Sequence, residues 1–219
     1  MGKPAMRLRA ASAERPLHGD DRSVLDTELG LFGVFDGVGS IRDSDRAADL
    51  AARTIAKVCR DSSELSLDAL VAACDAAQEA IVQGRLGATT AAVAWIVDEQ
   101  LHYVSIGDSR IYLSTAGRLR QITQDQGEGN LVENVLGESP PPGYQSLTQQ
   151  NGTLAVMPGD KLILVTDGIT GDFWPDLLSL REIAAAVAED EPYAAAHNLI
   201  QAARKRDDRT AVVVFLDHG

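Results

Sequence analysis

The order of apolar segments along this 219-residue chain predicts an α+β fold built on mainly antiparallel sheets. Three observations lead there. Short runs rich in Val, Ile, Leu and Phe break off at turn residues. Segments with helical periodicity come in adjacent pairs instead of alternating singly with strands. A block of three strand-like runs follows at hairpin spacing in the middle of the chain.

The elements follow in order. The first 18 or so residues read as an irregular arm or an edge strand. Leu29-Gly30-Leu31-Phe32-Gly33-Val34-Phe35 reads as a buried strand that stops at Asp36-Gly37. Residues 45–60 place Ala47, Leu50, Ala51, Thr54, Ile55 and Val58 on one helical face. A second helix over 66–83 does the same with Leu67, Leu70, Val71, Cys74 and Ile81, and Ser66 and Asp68 supply its start signals. After Gly84 the period shortens, and 91–97, 101–106 and 110–114 read as strands broken at Asp98-Glu99-Gln100 and Gly107-Asp108. Residues 124–152 are polar and rich in Gly and Pro, with Pro140-Pro141-Pro142, and read as a long surface loop holding one short helix. A strand over 161–166 ends at Asp167-Gly168. Helices over 177–189 and 193–204 and a last strand over 211–216 complete the pattern. There is no internal repeat, and one domain over 1–219 is expected.

The composition narrows the function. Lys plus Arg total 20 against 32 Asp plus Glu, a formal net charge of −12. A nucleic-acid binder carries a basic patch, so no nucleic acid is expected, and the acidic balance favours a cation or a basic partner. The two cysteines, Cys59 and Cys74, form no metal-binding or redox pair and fall within the helical segments, where burial is expected. No apolar run suits a signal peptide or a membrane span, so a soluble, cytoplasmic monomer with no membrane contact is expected.

Three aspartates stand at the ends of apolar strands: Asp36 after 31–35, Asp167 after 162–166, and Asp207 shortly before the strand at 211–216. A carboxylate at a strand end sits at the rim of a rigid core. Several such rims brought together repel one another unless a cation neutralises them. Carboxylate and backbone oxygens suit the hard ions Mg²⁺ and Mn²⁺. The glycines after Asp36 and Asp167 permit a tight turn and close backbone approach. Any one Asp-Gly alone is an ordinary turn signal.

Six segments carry a wider resemblance: Gly19-Asp20-Asp21-Arg22, Val34-Phe35-Asp36-Gly37-Val38-Gly39, Gly87-Ala88-Thr89-Thr90, Ser105-Ile106-Gly107-Asp108-Ser109-Arg110, Leu164-Val165-Thr166-Asp167-Gly168-Ile169 and Arg206-Asp207-Asp208-Arg209-Thr210. In these the chain resembles the metal-dependent protein phosphatases of type 2C, including their compact bacterial members, and Gly-Asp-Ser-Arg is the most specific match. The resemblance implies a four-layer α-β-β-α sandwich of two mainly antiparallel sheets flanked by helix pairs. It implies hydrolysis of phosphoserine and phosphothreonine by a hydroxide bridging two Mn²⁺ or Mg²⁺ ions, without a covalent intermediate. Asp36 then corresponds to the bridging carboxylate and the carbonyl of Gly37 to a ligand of one metal, with Asp167 and Asp207 ligands of the other. Asp20 or Asp21 matches the early acidic position, and Asp108 a position that helps hold a weaker third ion. Asp208, where the family often has Asn, is expected to support the site. The implied partners are a phosphorylated protein substrate and an opposing Ser/Thr kinase or its targets, in signalling.

The match departs in places. Val38 stands where the family often has His. Counting four back from Asp20 gives Pro16, so Arg15, one place off, is the candidate phosphate contact. Gly171 occupies another third-metal position, and Asp172 comes one residue late. Other chemistries fit worse. A cysteine-based phosphatase needs Arg six residues after Cys, and those positions hold Leu65 and Ala80. Asp36-Gly37-Val38-Gly39-Ser40 lacks the Lys of a phosphate loop and the glycine spacing of a dinucleotide fingerprint. The rival readings are a catalytically weak regulatory module of the same fold and a cation-stabilised scaffold.

Overall fold

The computed structural model describes residues 6–137 and 149–219. Two five-stranded sheets, antiparallel throughout, dominate it. One sheet contains β1 (Arg7–Arg15), β12 (Arg209–Asp217), β11 (Lys161–Val165), β6 (Arg110–Thr115) and β7 (Arg118–Gln121), in that order. The other runs β10 (Gln150–Ala155), β5 (Gln100–Ile106), β4 (Ala91–Val97), β3 (Leu31–Phe35), β2 (Arg22–Asp26).

Period-two alternation within the central strands divides the core into three layers. In β3, Phe32 and Val34 point to the other sheet, while Leu31 and Phe35 point to helices. In β12, Val212, Val214 and Leu216 face the inter-sheet core, and Ala211, Val213 and Phe215 face the opposite way. Against the β3 side pack α1 (Ser44–Asp61) and α2 (Leu67–Gly84), through Ala47, Ala51, Ile55, Leu70, Cys74 and Ile81. Against the β12 side pack α4 (Leu180–Ala186) and α5 (Pro192–Ala202), through Ile183, Ala195, Ala196 and Leu199. The expected α-β-β-α sandwich is the observed one. Both cysteines are buried, and small alanines let the helices lie close on the sheets.

Side-chain caps mark the starts of α2 and α4. Ser66 accepts the amide of Ala69 at the start of α2, as its position in the sequence suggests. A reciprocal capping box between Ser179 and Glu182 starts α4. That box is the reason α4 begins at Leu180 and not at 177.

Of the two alternatives for the first residues, the edge strand is the one observed: β1 pairs along its whole length with β12. Other expectations need correction. The 124–152 segment is not a plain loop with a helix. Its described part carries a small hairpin, β8 (Gly127–Glu128) with β9 (Leu131–Val132), and the start of β10. No helix occurs there among the described residues, and Pro140-Pro141-Pro142 lie outside them. Strands β2 and β7 escape the periodicity reading because they are short, polar sheet edges. A single helical turn, α3 (Asp167–Thr170), follows β11 directly. Among the described residues, no helix is long and apolar enough to cross a membrane.

Candidate metal centre

Antiparallel register gathers the acidic segments at one end of the sandwich. Phe35, at the end of β3, pairs with Arg22 at the start of β2. Val165, at the end of β11, pairs with Arg110 at the start of β6 and with Ala211 near the start of β12. The residues just beyond these ends are Asp20 and Asp21, Asp36, Asp108, Asp167, and Asp207 and Asp208. They meet around a cleft of about 520 Å³. Seven aspartates line it: Asp20, Asp36, Asp108, Asp167, Asp172, Asp207 and Asp208. Lys205 and His18 are the basic side chains on its wall.

Backbone contacts fix the site's acids in place. The amide of Asp36 donates to the Thr90 hydroxyl at 3.1 Å, and its carbonyl accepts from the Thr90 amide at 2.8 Å and the Thr89 hydroxyl at 2.9 Å. A side chain on Gly37 would meet the carbonyl oxygen of Asp20 at 2.9 Å, so glycine lets the two loops touch. Gly168 faces the backbone of Asp208 even more closely, which binds the turn after Asp167 to the loop carrying Asp207. The Gly-Asp-Ser-Arg run has two structural roles. Ser109 exchanges a hydrogen bond with Thr90 at 2.8 Å, and Arg110 grips Asp125 through a bidentate pair that steadies the loop before the β8–β9 hairpin.

The neighbouring pairs Asp20-Asp21 and Asp207-Asp208 divide their roles. Asp20 lines the cleft, whereas Asp21 accepts from the Thr166 hydroxyl at 2.9 Å and is not among the lining residues. Asp207 lines the cleft, while the Asp208 carboxylate accepts from four successive amides: Leu17, His18 at 2.6 Å, Gly19 at 2.7 Å and Asp20 at 2.6 Å. Asp208 therefore holds the loop that presents Asp20. Burial works against its charge, but these amides outweigh it and leave its pKa below the ordinary value.

Crowding shows in the other acids. Burial, with Asp21, Asp167 and Asp108 nearby, pushes Asp36 well above the usual carboxylate range. Burial first, and then the charges of Asp208 and Asp167, lift Asp21 to about 7 against the two hydroxyls that bond it. Asp108 is pushed up to about 7 by burial and by Asp167. Asp20 and Asp172 are also raised, chiefly by burial.

Asp21 Oδ1 and Asp167 Oδ1 are buried without a hydrogen-bond partner among the described residues. Such atoms call for a cation or a proton. Among the described residues no three acidic, histidine or cysteine side chains are gathered tightly enough to hold a metal ion as they stand. Lys205 sits between them instead, 3.0 Å from both Asp172 and Asp207 and in contact with Asp167. The donor set, hard oxygens with orphaned lone pairs beside a cation already in place, fits Mg²⁺ or Mn²⁺ in chemistry.

The sequence-predicted residues Asp20, Asp36, Gly37, Asp108, Asp167 and Asp207 all reach the cleft. Arg15 does not. It is exposed at the end of β1, opposite Arg209, and is not among the residues that line the cleft. Val38 and His18 both line the cleft. Sequence reasoning missed Lys205, hidden in a basic Arg204-Lys205-Arg206 run that reads as a solvated face. It also missed Asn130, which the β8–β9 hairpin turns onto the cleft wall. Asp172, one residue late for the family position, nevertheless arrives beside Asp108 and Asp167 because α3 closes at Gly171 with a positive φ of 72°.

Comparison with known proteins agrees with this geometry. The chain is 32% identical over 124 residues to the protein phosphatase PhpP of Streptococcus pneumoniae, a match covering 48% of this chain and 47% of that protein. The matched region thus spans about half the length of that relative. Among solved structures, the catalytic domain of the serine/threonine protein phosphatase PstP, in complex with two manganese ions, superposes with a TM-score of 0.83. The identity is 24%, over 97% of this chain and 100% of that one. PppA, a regulatory component of the type VI secretion system in Pseudomonas aeruginosa, superposes with a TM-score of 0.80 at 23% identity, over 97% and 100% of the two chains. These two likenesses show the fold. The family model for protein phosphatase 2C matches residues 17–202, most of the chain, and the chain belongs to that family.

Proposed function

We propose that this protein is a protein serine/threonine phosphatase that hydrolyses phosphoserine and phosphothreonine with two Mn²⁺ or Mg²⁺ ions and no covalent intermediate. The observation that carries the reading is the convergence of Asp20, Asp36, Asp167 and Asp207 on one cleft from four separate chain segments. Within the proposal, the Asp36 carboxylate would help hold both ions and the Gly37 carbonyl one of them. Asp167 and Asp207 would help hold the other, Asp20 would complete the early acidic position, and Asp108 and Asp172 would help hold a weaker third ion. The ions would lower the pKa of a bound water and neutralise charge on the phosphoryl oxygens.

The chain's own residues supply the rest. Thr89 and Thr90 anchor the backbone of Asp36. Asp208 fixes the loop bearing Asp20. Thr166 steadies Asp21 beneath the cleft. The β8–β9 hairpin brings Asn130 and Val132 to the rim, where an incoming phosphopeptide would pass. A phosphorylated protein is the proposed substrate, and a Ser/Thr kinase sharing that substrate the proposed counterpart.

The test is hydrolysis of a phosphothreonine peptide with Mn²⁺, with Mg²⁺ and with chelator. Turnover that requires the metal and stops in chelator is expected. Undiminished turnover in chelator would overturn the two-metal reading. Metal binding without turnover would favour a regulatory module of the same fold.

A further inference from the structure

The side chain of Lys205 makes an unusual set of contacts. It is 17% exposed, and its ammonium touches Asp167 while lying 3.0 Å from Asp172 and 3.0 Å from Asp207. An ammonium has three N–H donors and no acceptor, so three carboxylates satisfy it completely. Its backbone is also tied down. The Arg209 guanidinium donates to the Lys205 carbonyl at 2.6 Å through Nη2 and at 3.2 Å through Nε, and to the Ile200 carbonyl at 3.2 Å. The loop between α5 and β12 thus aims Lys205 into the cleft instead of leaving it to solvent.

Asp167 and Asp207 are the carboxylates assigned above to a divalent ion. A side-chain cation and a divalent ion cannot both sit among them at contact distance without strong repulsion. We propose that Lys205 is a tethered competitor of that ion: its ammonium holds Asp167, Asp172 and Asp207 together and has to leave them for the metal to bind. The proposal rests on the two-metal reading.

Two consequences follow from this competition. Undocking Lys205 breaks partly buried, charge-assisted hydrogen bonds, and that cost is subtracted from the intrinsic affinity for the metal. The same contacts quench carboxylate repulsion, so they stabilise the fold whenever metal is scarce. Lys205 therefore makes the metal centre responsive to metal concentration, trading affinity for a fold that survives without it.

The test is Mn²⁺ binding by titration calorimetry on chelator-stripped, dialysed protein, for wild type, Lys205→Met and Lys205→Arg. Methionine keeps the length of the side chain and removes the charge. Lys205→Met is expected to bind Mn²⁺ about tenfold more tightly or better, and Lys205→Arg to stay near wild type. In chelator, Lys205→Met is expected to melt below wild type and to gain more from added Mn²⁺ than wild type does. Equal or weaker Mn²⁺ affinity in Lys205→Met would overturn the proposal, since a purely structural lysine changes melting without tightening metal binding. Should Lys205→Met not fold in chelator, Lys205→Gln purified with Mn²⁺ and titrated against a competing chelator gives the same comparison. No Mn²⁺ binding in any variant, wild type included, would instead overturn the metal reading beneath it.

Discussion

Removing the Asp208 carboxylate is the most direct test of how the cleft is assembled. Asp208 is buried, at 4% exposure, and accepts from the amides of Leu17, His18, Gly19 and Asp20. A hydrogen bond to a charged group contributes roughly 1.5–3 kcal/mol, so a naive sum over four exceeds 6 kcal/mol. That sum is too large. Leu17 and His18 are exposed, and water replaces the carboxylate at their amides, whereas Gly19 and Asp20 are partly shielded. Loss of Asp208 also relieves repulsion on Asp20 and Asp21, both of which feel its charge. About 2–4 kcal/mol of destabilisation is the expected net for Asp208→Ala. Asn keeps one acceptor oxygen and can serve two of the four amides, so Asp208→Asn is expected to cost about half as much. The assay is urea unfolding at pH 7 in chelator, paired with Mn²⁺ titration to follow the displaced Asp20. The four amides hold the folded pKa of Asp208 below its ordinary value. Its contribution is therefore present above that ordinary value and is lost as pH falls through the lower folded one, so the gap between wild type and Asp208→Ala should close in strong acid. A value for Asp208→Ala within about 0.5 kcal/mol of wild type at pH 7 would refute the clamp.

Three further outcomes are expected. Asp36→Asn should lower kcat by about 10²-fold or more at saturating Mn²⁺ while melting above wild type in chelator, because it removes a charge from a crowd of like charges; paired kinetics and thermal melts check this. In chelator, stability should fall as pH rises through the range from about 4 to about 7. Asp21 and Asp108 are raised to about 7 in the fold, so the folded state binds more protons than the unfolded chain across that range, and urea titrations at several pH values with and without Mn²⁺ show whether metal flattens the slope. Turnover should survive iodoacetamide and the substitutions Cys59→Ser and Cys74→Ser, since burial pushes the Cys59 thiol up to about 12 and Cys74 higher still; loss of activity at a modification stoichiometry below one thiol per chain would contradict this.

Much of the fold was legible because its central strands are buried on both faces. β3, β4, β11 and β12 are continuous apolar runs, and each ends where a charge or a turn residue appears. The paired helices were legible through their periodicity. The edges were not: β2 and β7 mix Arg, Ser, Asp and Gln with Val and Leu at positions none of which is fully buried, so neither period-two nor period-3.6 patterning rises above its surroundings. The β8–β9 hairpin has a local turn signal in Gly129-Asn130, but its two-residue strands are too short for any periodicity to show, and the Phe173 ring lies against Gly129. Within the site, the cleft-lining aspartates were legible as strand-end charges, because a strand end has a defined place in a sandwich. Lys205 was missed for the opposite reason. It belongs to a basic, locally polar stretch, and only the loop before β12 turns it towards the carboxylates.

The distribution of stability across the molecule follows from the same layout. Three apolar layers hold the sheets and helices together, and none of their buried clusters includes an acid from the cleft. The aspartates are carried on the segments that extend past those layers, where like charges oppose one another and carboxylate oxygens of Asp21 and Asp167 find no partner among the described residues. A sandwich with a smaller core could not hold such a cluster in one place, because repulsion would splay the loops. Here the loops are held from behind, by Thr90 and Thr89 on Asp36, by Thr166 on Asp21 and by Asp208 on the strand-connecting loop. The destabilising charges are therefore confined to side chains while their backbones stay fixed. In the proposed metal reading that combination would let a cation be gained or lost without refolding the site, and it means that neutralising Asp36, which is opposed by burial and by its acidic neighbours, should stabilise the apo-protein even as it impairs the chemistry.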